Sequence, residues 1–275
     1  MFWIGLSLLS ALGISYFIGT AQATAFLTGY ALEKALSVDN LFVFLMLFTY
    51  FRVGHAAQRR ALNYGIIGVL VLRGVLIFAG IALIARFEWL MYIFGLIVLY
   101  TGYIMAFGGD KEFDPSTNRT VRLVQKLFRV SKTYHGSQFF VREAGKKLAT
   151  QLFVVLAVIE VMDVLFAVDS IPAIFSVTRD PFIVYSSNIL AVLGLRSLYF
   201  LLERAHAAFR FVKQGVGVIL WFVGIKMLLP AFWPAARIGN TVALAVVLVV
   251  LMISIVLSVT IRGPQSGVRD PGNYE

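Results

Sequence analysis

Between Thr241 and Ile261 the chain runs for twenty-one residues without a charged side chain, and comparable apolar stretches recur along its length. About 20 predominantly apolar residues match the hydrocarbon core of a bilayer, whereas a helix on a soluble core needs only one apolar stripe. Hydrophobic residues make up 60% of the 275 and charged residues 14%, against roughly 45–50% and 25% in soluble domains. In lipid every backbone polar group must be satisfied within the chain, so runs of this length fold as helices. The apolar segments predict an all-α polytopic transmembrane helical bundle of about eight spans, at 1–20, 24–51, 62–86, 88–108, 148–177, 182–203, 212–232 and 239–261. No Lys or Arg precedes Lys34, so the first stretch lacks the basic region of a signal peptide and is read as a span.

The one long polar segment, 108–147, carries nine Lys/Arg against four acids. Basic residues concentrate in cytoplasmic loops. With this segment inside, alternation places seventeen Lys/Arg inside and three outside: Arg86, Arg179 and Arg237. The net charge of +10 therefore reads as membrane orientation, with lipid and not nucleic acid as the partner. Within the segment, Val121, Val124, Leu127 and Phe128 recur at helical spacing among Arg122, Lys126 and Arg129. That pattern fits a helix lying on anionic lipid or a solvated loop helix. The chain holds no cysteine, which excludes disulfides and thiolate metal sites. It also has no phosphate-binding loop of the Walker type, and no enzymatic role is expected. Residues 1–275 are read as a single transmembrane domain.

Nine charges remain inside the spans: Lys34, Arg73, Arg196 and Lys226, with Glu33, Asp39, Glu160, Asp163 and Asp169. Each costs roughly 2.5–3.5 kcal/mol at mid-bilayer even on the lenient insertion scale, so the acids must face a polar interior, pair with cations, or both. They fall in two related segments. Glu33-Lys-Ala-Leu-Ser-Val-Asp39-Asn40 in one parallels Asp163-Val-Leu-Phe-Ala-Val-Asp169-Ser170 in the other. Each is followed by a span with an arginine, Leu72-Arg73-Gly74 and Leu195-Arg196-Ser197, then by a third containing Thr101-Gly102 or Val223-Gly224. The chain thus reads as two three-span repeats, 24–108 and 148–232, with a final helix at 239–261. An odd number of spans inverts the second copy, a layout in which transported ions bind near mid-membrane at the repeat interface. Asp39 and Asp169 are accordingly expected to reach one central cavity.

Spacing adds detail. Glu160 and Asp163 share a helix face, as do Glu33 and Asn40, and Asp163 and Ser170. Pro172 is expected to break the helix near Asp169 and free carbonyls as further ligands. Arg73 and Arg196 are expected to orient carboxylates. The alternative is that the acids only form internal salt bridges with the four span cations. The available donors are carboxylates, the Asn40 and Asn188 amides, the Ser170 hydroxyl and carbonyls. Such hard oxygen donors suit manganese, magnesium or calcium. His55, His135 and His206 lie in or beside loops and are not expected as ligands. Gly65, Gly68, Gly95 and Gly102 are read as close-packing positions.

Glu33-Lys34 with Ser37-Val-Asp39-Asn40, and the block from Glu160-Val-Met-Asp163 through Asp169-Ser170-Ile-Pro172 to Phe175, resemble the two signature blocks of the TerC family. Arg59-Arg60, Phe139-Phe-Val-Arg142, Ser187-Asn188-Ile and Leu193-Gly-Leu-Arg196-Ser-Leu-Tyr199 extend the resemblance over about Ala25 to Leu229. Members of that kind usually begin one acid-bearing helix earlier. The resemblance implies export of manganese across the bacterial inner membrane, with no prosthetic group and with Mn2+ as the transported ion. It also implies that Glu33, Asp39, Glu160, Asp163 and Asp169 are required. The family carries an older association with tellurite resistance. Its plastid relatives suggest another role, a scaffold for membrane insertion or metal loading of exported proteins.

Overall fold

The computed structural model describes residues 2–108, 114–131, 136–143, 145–204, 211–233 and 238–260. Lys111, Lys132, His135, His206, Arg210, Arg237, Arg262 and Arg269 lie outside the described residues. In chain order the elements are α1 (Phe2–Phe17), α2 (Thr20–Tyr50), α3 (His55–Arg86), α4 (Leu90–Phe107), α5 (Arg119–Leu127), β1 (Phe140–Glu143) and β2 (Lys146–Ala149). They continue with α6 (Gln151–Phe175), α7 (Pro181–Leu193), α8 (Leu195–Arg204), α9 (Val212–Phe232) and α10 (Asn240–Thr260). The molecule is an all-α membrane bundle with one small antiparallel hairpin, β1–β2.

Among the described residues six segments are long and apolar enough to cross a bilayer: α3, α4, α6, the α7–α8 pair taken together, α9 and α10. Of the other two expected spans, α1 has 16 residues, short of the roughly 20 a crossing needs. The 31 residues of α2 are ample at about 1.5 Å each, but this helix carries Glu33, Lys34 and Asp39. Apolar side chains such as Val71, Val75, Phe78, Leu248, Met252 and Ile255 are exposed on the bundle's outer face, where the lipid tails lie.

Helix starts follow from capping chemistry. Thr150 accepts the Phe153 N–H at the start of α6, Asn118 accepts from Thr120 and Val121 at α5, and Asp180 caps α7 ahead of Pro181. Each side chain satisfies amides that have no intrahelical partner.

α2 passes between α1, α6, α7, α9 and α10, while α3 packs on α6 and α2 on α7. The tightest approach joins α4 to α9. A Cβ on Gly102 would overlap the backbone of Gly217 and Trp221, and one on Gly224 would overlap Leu99. Small residues permit this backbone-to-backbone packing. Gly102 is therefore a close-packing position as read from the sequence.

Two local expectations change. Pro172 does not break its helix: α6 continues to Phe175 with Pro172 inside it. Only one turn remains beyond the proline, so the missing N–H costs one bond near an end. The last turn closes with Ser176 N–H donating to the carbonyls of Pro172 and Ala173, both at 3.2 Å. The interruption lies instead at Gly194, between α7 and α8. There the Lys34 ammonium donates to the Ala191 carbonyl at 2.8 Å, a cation placed at a helix C-terminus where the dipole favours it.

Candidate functional site

The five span acids separate into three environments. The first is a buried knot around Arg73 of α3. Its Nε donates to Asp163 Oδ2 at 2.9 Å and its Nη2 to Asp163 Oδ1 at 2.8 Å, while Nη1 pairs with Glu33. Asn188 of α7 donates to the other Glu33 oxygen at 3.0 Å, and Asn40 of α2 donates to Asp163 at 3.4 Å. Arg73, Glu33 and Asp163 are each 1% exposed. Charges so enclosed persist only when paired and hydrogen-bonded, and here one planar fork serves two carboxylates on two other helices.

The second environment is a cavity beside that knot. Asp39 and Asn40 of α2, Asp169 and Ser170 of α6, Met105 of α4 and the flank of Arg73 line it. It leaves about 20 Å³ of room for the centre of a water-sized sphere, where about 10–15 Å³ admits one water. Thr101 of α4 donates its hydroxyl to Asp169 at 3.1 Å. The Ser170 hydroxyl is buried and has no hydrogen-bond partner among the described residues. Lys213, in the first turn of α9, is a cation within electrostatic reach of Asp39. Among the described residues no three His, Cys, Asp or Glu side chains form a metal-holding group. The cavity's donors are two carboxylates with neutral oxygens and a thioether.

Glu160 forms the third. It lies one turn before Asp163 and packs on α3 where there is no side chain in the way. A Cβ on Gly68 would overlap its carboxyl group, and its Oε2 is buried without a hydrogen-bond partner among the described residues.

Sequence reasoning brought Asp39 and Asp169 to one cavity, and the structure places them there with Asn40 and Ser170. Asn188 serves Glu33 and does not reach the cavity lining. Arg196 departs from expectation: it is exposed and donates to Asn63 at 2.8 Å, because the break at Gly194 ends α7 before it. Among the described residues it orients no carboxylate. Lys226 donates to Asn240 at 3.1 Å, and among the described residues the salt bridges of the span acids are those with Arg73. Thr101 and Met105 were missed. A threonine in a span gives little sequence signal, since its hydroxyl ordinarily bonds to its own helix, and a methionine reads as core.

The integral membrane protein TerC family model matches residues 18–266, and the chain belongs to that family. It is a multi-pass membrane protein. Over 259 residues it is 48% identical to a Photorhabdus laumondii protein described as a membrane-bound redox modulator, Alx, covering 91% of this chain and 81% of that one. The Alx protein of Escherichia coli K12 is 46% identical over 93% of this chain and 81% of its own. A chloroplast thylakoid membrane protein, TERC of Arabidopsis thaliana, is 39% identical over 96% and 68%. No solved structure matches.

Proposed function

We propose that this protein is a secondary transporter that exports a divalent metal cation, Mn2+ foremost, across the bacterial inner membrane through the Asp39–Asp169 cavity. The observation that carries the reading is that these two aspartates, one from each of the matched segments, line a single cavity. The packing supports two related units: exchanging them turns the α2–α7 contact into α6–α3, and maps α4–α9 onto itself. That is the arrangement in which inverted repeats share a mid-membrane site. The loop 108–147 then faces the cytoplasm.

The division of labour follows from charge. Arg73 is engaged by Glu33 and Asp163 and holds three helices together, so these two acids support the site. Asp39 and Asp169 are left to meet the ion, with Asn40, Ser170 and Thr101 as neutral oxygen donors. Hard donors of this kind suit Mn2+, Mg2+ or Ca2+. A cargo ion must also leave, and conduction requires binding weak enough for release. Two carboxylates in place of a full acid cage fit that requirement. Glu160, with one carboxyl oxygen buried and its carboxyl group against Gly68, is the group placed to carry a proton on the return step. Thiol exchange by this chain, the simplest route to redox modulation, is closed because it contains no cysteine.

The test is uptake into sealed proteoliposomes with Mn2+, Ca2+, Mg2+ and Zn2+ in competition. Saturable Mn2+ movement that Asp39→Asn and Asp169→Asn each abolish supports the proposal. No metal movement by the folded wild-type protein would sink it and favour a scaffold role.

A further inference from the structure

The loop side of the bundle carries a surface that the transport reading does not use. Val121 and Val124 of α5, 2% and 3% exposed, belong to the core packed with α6. Beside them Leu123 and Leu127, one turn apart, are 56% and 68% exposed. Arg119, Arg122 and Lys126 flank this second stripe on the side away from the valines, as the periodicity of about 3.6 residues per turn requires. The end of α5 is tied to the hairpin and to α6. Ala149 N–H donates to the Arg129 carbonyl and Ser131 N–H to the Ala149 carbonyl, both at 2.9 Å, and the Thr150 hydroxyl donates to the Gln138 carbonyl at 2.6 Å.

Depth is set by aromatic rings. Phe128 packs edge-on and Phe140 at a tilt against Phe153, with ring centres 4.9 and 4.6 Å away, and Phe153 lies in the first turn of the crossing helix α6. Half-exposed Phe128 and Phe140 therefore sit level with the first turn of α6, the end at which an apolar crossing helix meets the headgroups. The cations of the hairpin point the same way. Arg142 faces Lys147 in register across β1–β2, both exposed, and the Lys147 ammonium lies 4.7 Å over the Phe140 ring. Like charges directly opposite each other destabilise a strand pair unless an anion lies between them.

We propose that α5 and the β1–β2 hairpin form a platform at headgroup level that binds anionic phospholipid of the leaflet from which α6 enters. Leu123 and Leu127 dip into the acyl boundary, and Arg142 with Lys147 holds a lipid phosphate. Continuity with the membrane-entry rings favours lipid over a soluble acidic partner, and juxtamembrane basic clusters attract anionic lipid.

The absence of cysteine makes a clean experiment. Leu127→Cys in the full chain takes a single environment-sensitive fluorophore, read in nanodiscs of phosphatidylcholine with or without phosphatidylglycerol. The expected result is a blue shift and quenching by spin-labelled lipid that strengthen with phosphatidylglycerol and weaken in high salt. Adding Arg142→Gln and Lys147→Gln should remove the phosphatidylglycerol dependence, with the elution profile and thermal transition unchanged. A label at Leu123→Cys serves as the second reporter should either variant fold poorly. A label equally open to aqueous iodide in both lipids overturns the proposal. So does shielding that depends on protein concentration instead of lipid, which would mark a protein–protein face, or phosphatidylglycerol dependence that survives both glutamines.

Discussion

Arg73 and Asp163 are joined by two parallel hydrogen bonds, at 2.9 and 2.8 Å, with both side chains 1% exposed. Because the same guanidinium also takes Glu33, α2, α3 and α6 meet at one ion cluster. Breaking a buried pair by removing one partner costs about 3–5 kcal/mol. Arg73→Met should therefore lower the thermal transition of the detergent-solubilised protein sharply. Neutralising its partners as well, with Glu33→Gln and Asp163→Asn, should recover part of the loss. A single Arg73→Met that melts like wild type would refute the structural role given to this cluster.

Asp39 and Asp169 should respond in the opposite way. Neither is held by an arginine in the structure, and each lines the cavity. Asp39→Asn and Asp169→Asn should leave the thermal transition close to wild type while Mn2+ transport falls at least about tenfold, the effect of 1.4 kcal/mol. Parallel unfolding and flux measurements on one preparation separate the two effects. Residual saturable flux near the wild-type level in either variant would remove that aspartate from the ion path.

Thr101→Val keeps the shape and deletes the 3.1 Å bond to Asp169. A neutral donor to a charged acceptor contributes about 1.5–3 kcal/mol. The variant should raise the apparent KM for Mn2+ with little change in maximal rate, and Thr101→Ser should restore it. Concentration-dependent uptake by the three proteins decides the matter.

Glu160 and Gly68 form a third pair. Glu160→Gln removes an ionisable group whose buried oxygen has no hydrogen-bond partner among the described residues, so the thermal transition should hold or rise. If Glu160 carries the proton, the variant should also lose the response of flux to an imposed pH gradient. Gly68→Ala should displace the carboxyl group it now admits, and should reduce flux with Glu160 still present. Unchanged transport in Gly68→Ala would show that the carboxyl position is immaterial.

Much of the bundle could be read from hydropathy, because a span longer than a bilayer needs leaves no other fold open to it. The acids could be read for the same reason: a carboxylate in lipid carries a cost that a sequence makes visible. Their grouping was readable only in part. Asp39 and Asp169 line one cavity, as the spacing suggested, because both lie on continuous helices. Arg196 does not meet an acid as Arg73 does, since the helix break at Gly194 leaves it to Asn63. Pro172 misled because a proline's effect depends on how much helix follows it, which spacing does not disclose. Thr101 carried no cost in sequence terms: it was read only as part of the Thr101-Gly102 repeat motif, and nothing marked its hydroxyl as a partner for Asp169.

The glycine contact between α4 and α9 limits how such a molecule could work. Gly102, Gly217 and Gly224 bring two backbones together so closely that sliding either helix by a turn would drive Leu or Trp side chains into main chain. This contact holds the two helices together as one unit, with Thr101, Met105 and Leu220 on the side of the Asp39–Asp169 cavity. For the transport proposed above, access from either side of the membrane would then come from α2 and α6 tilting against that paired wall, so that the aspartates move relative to it.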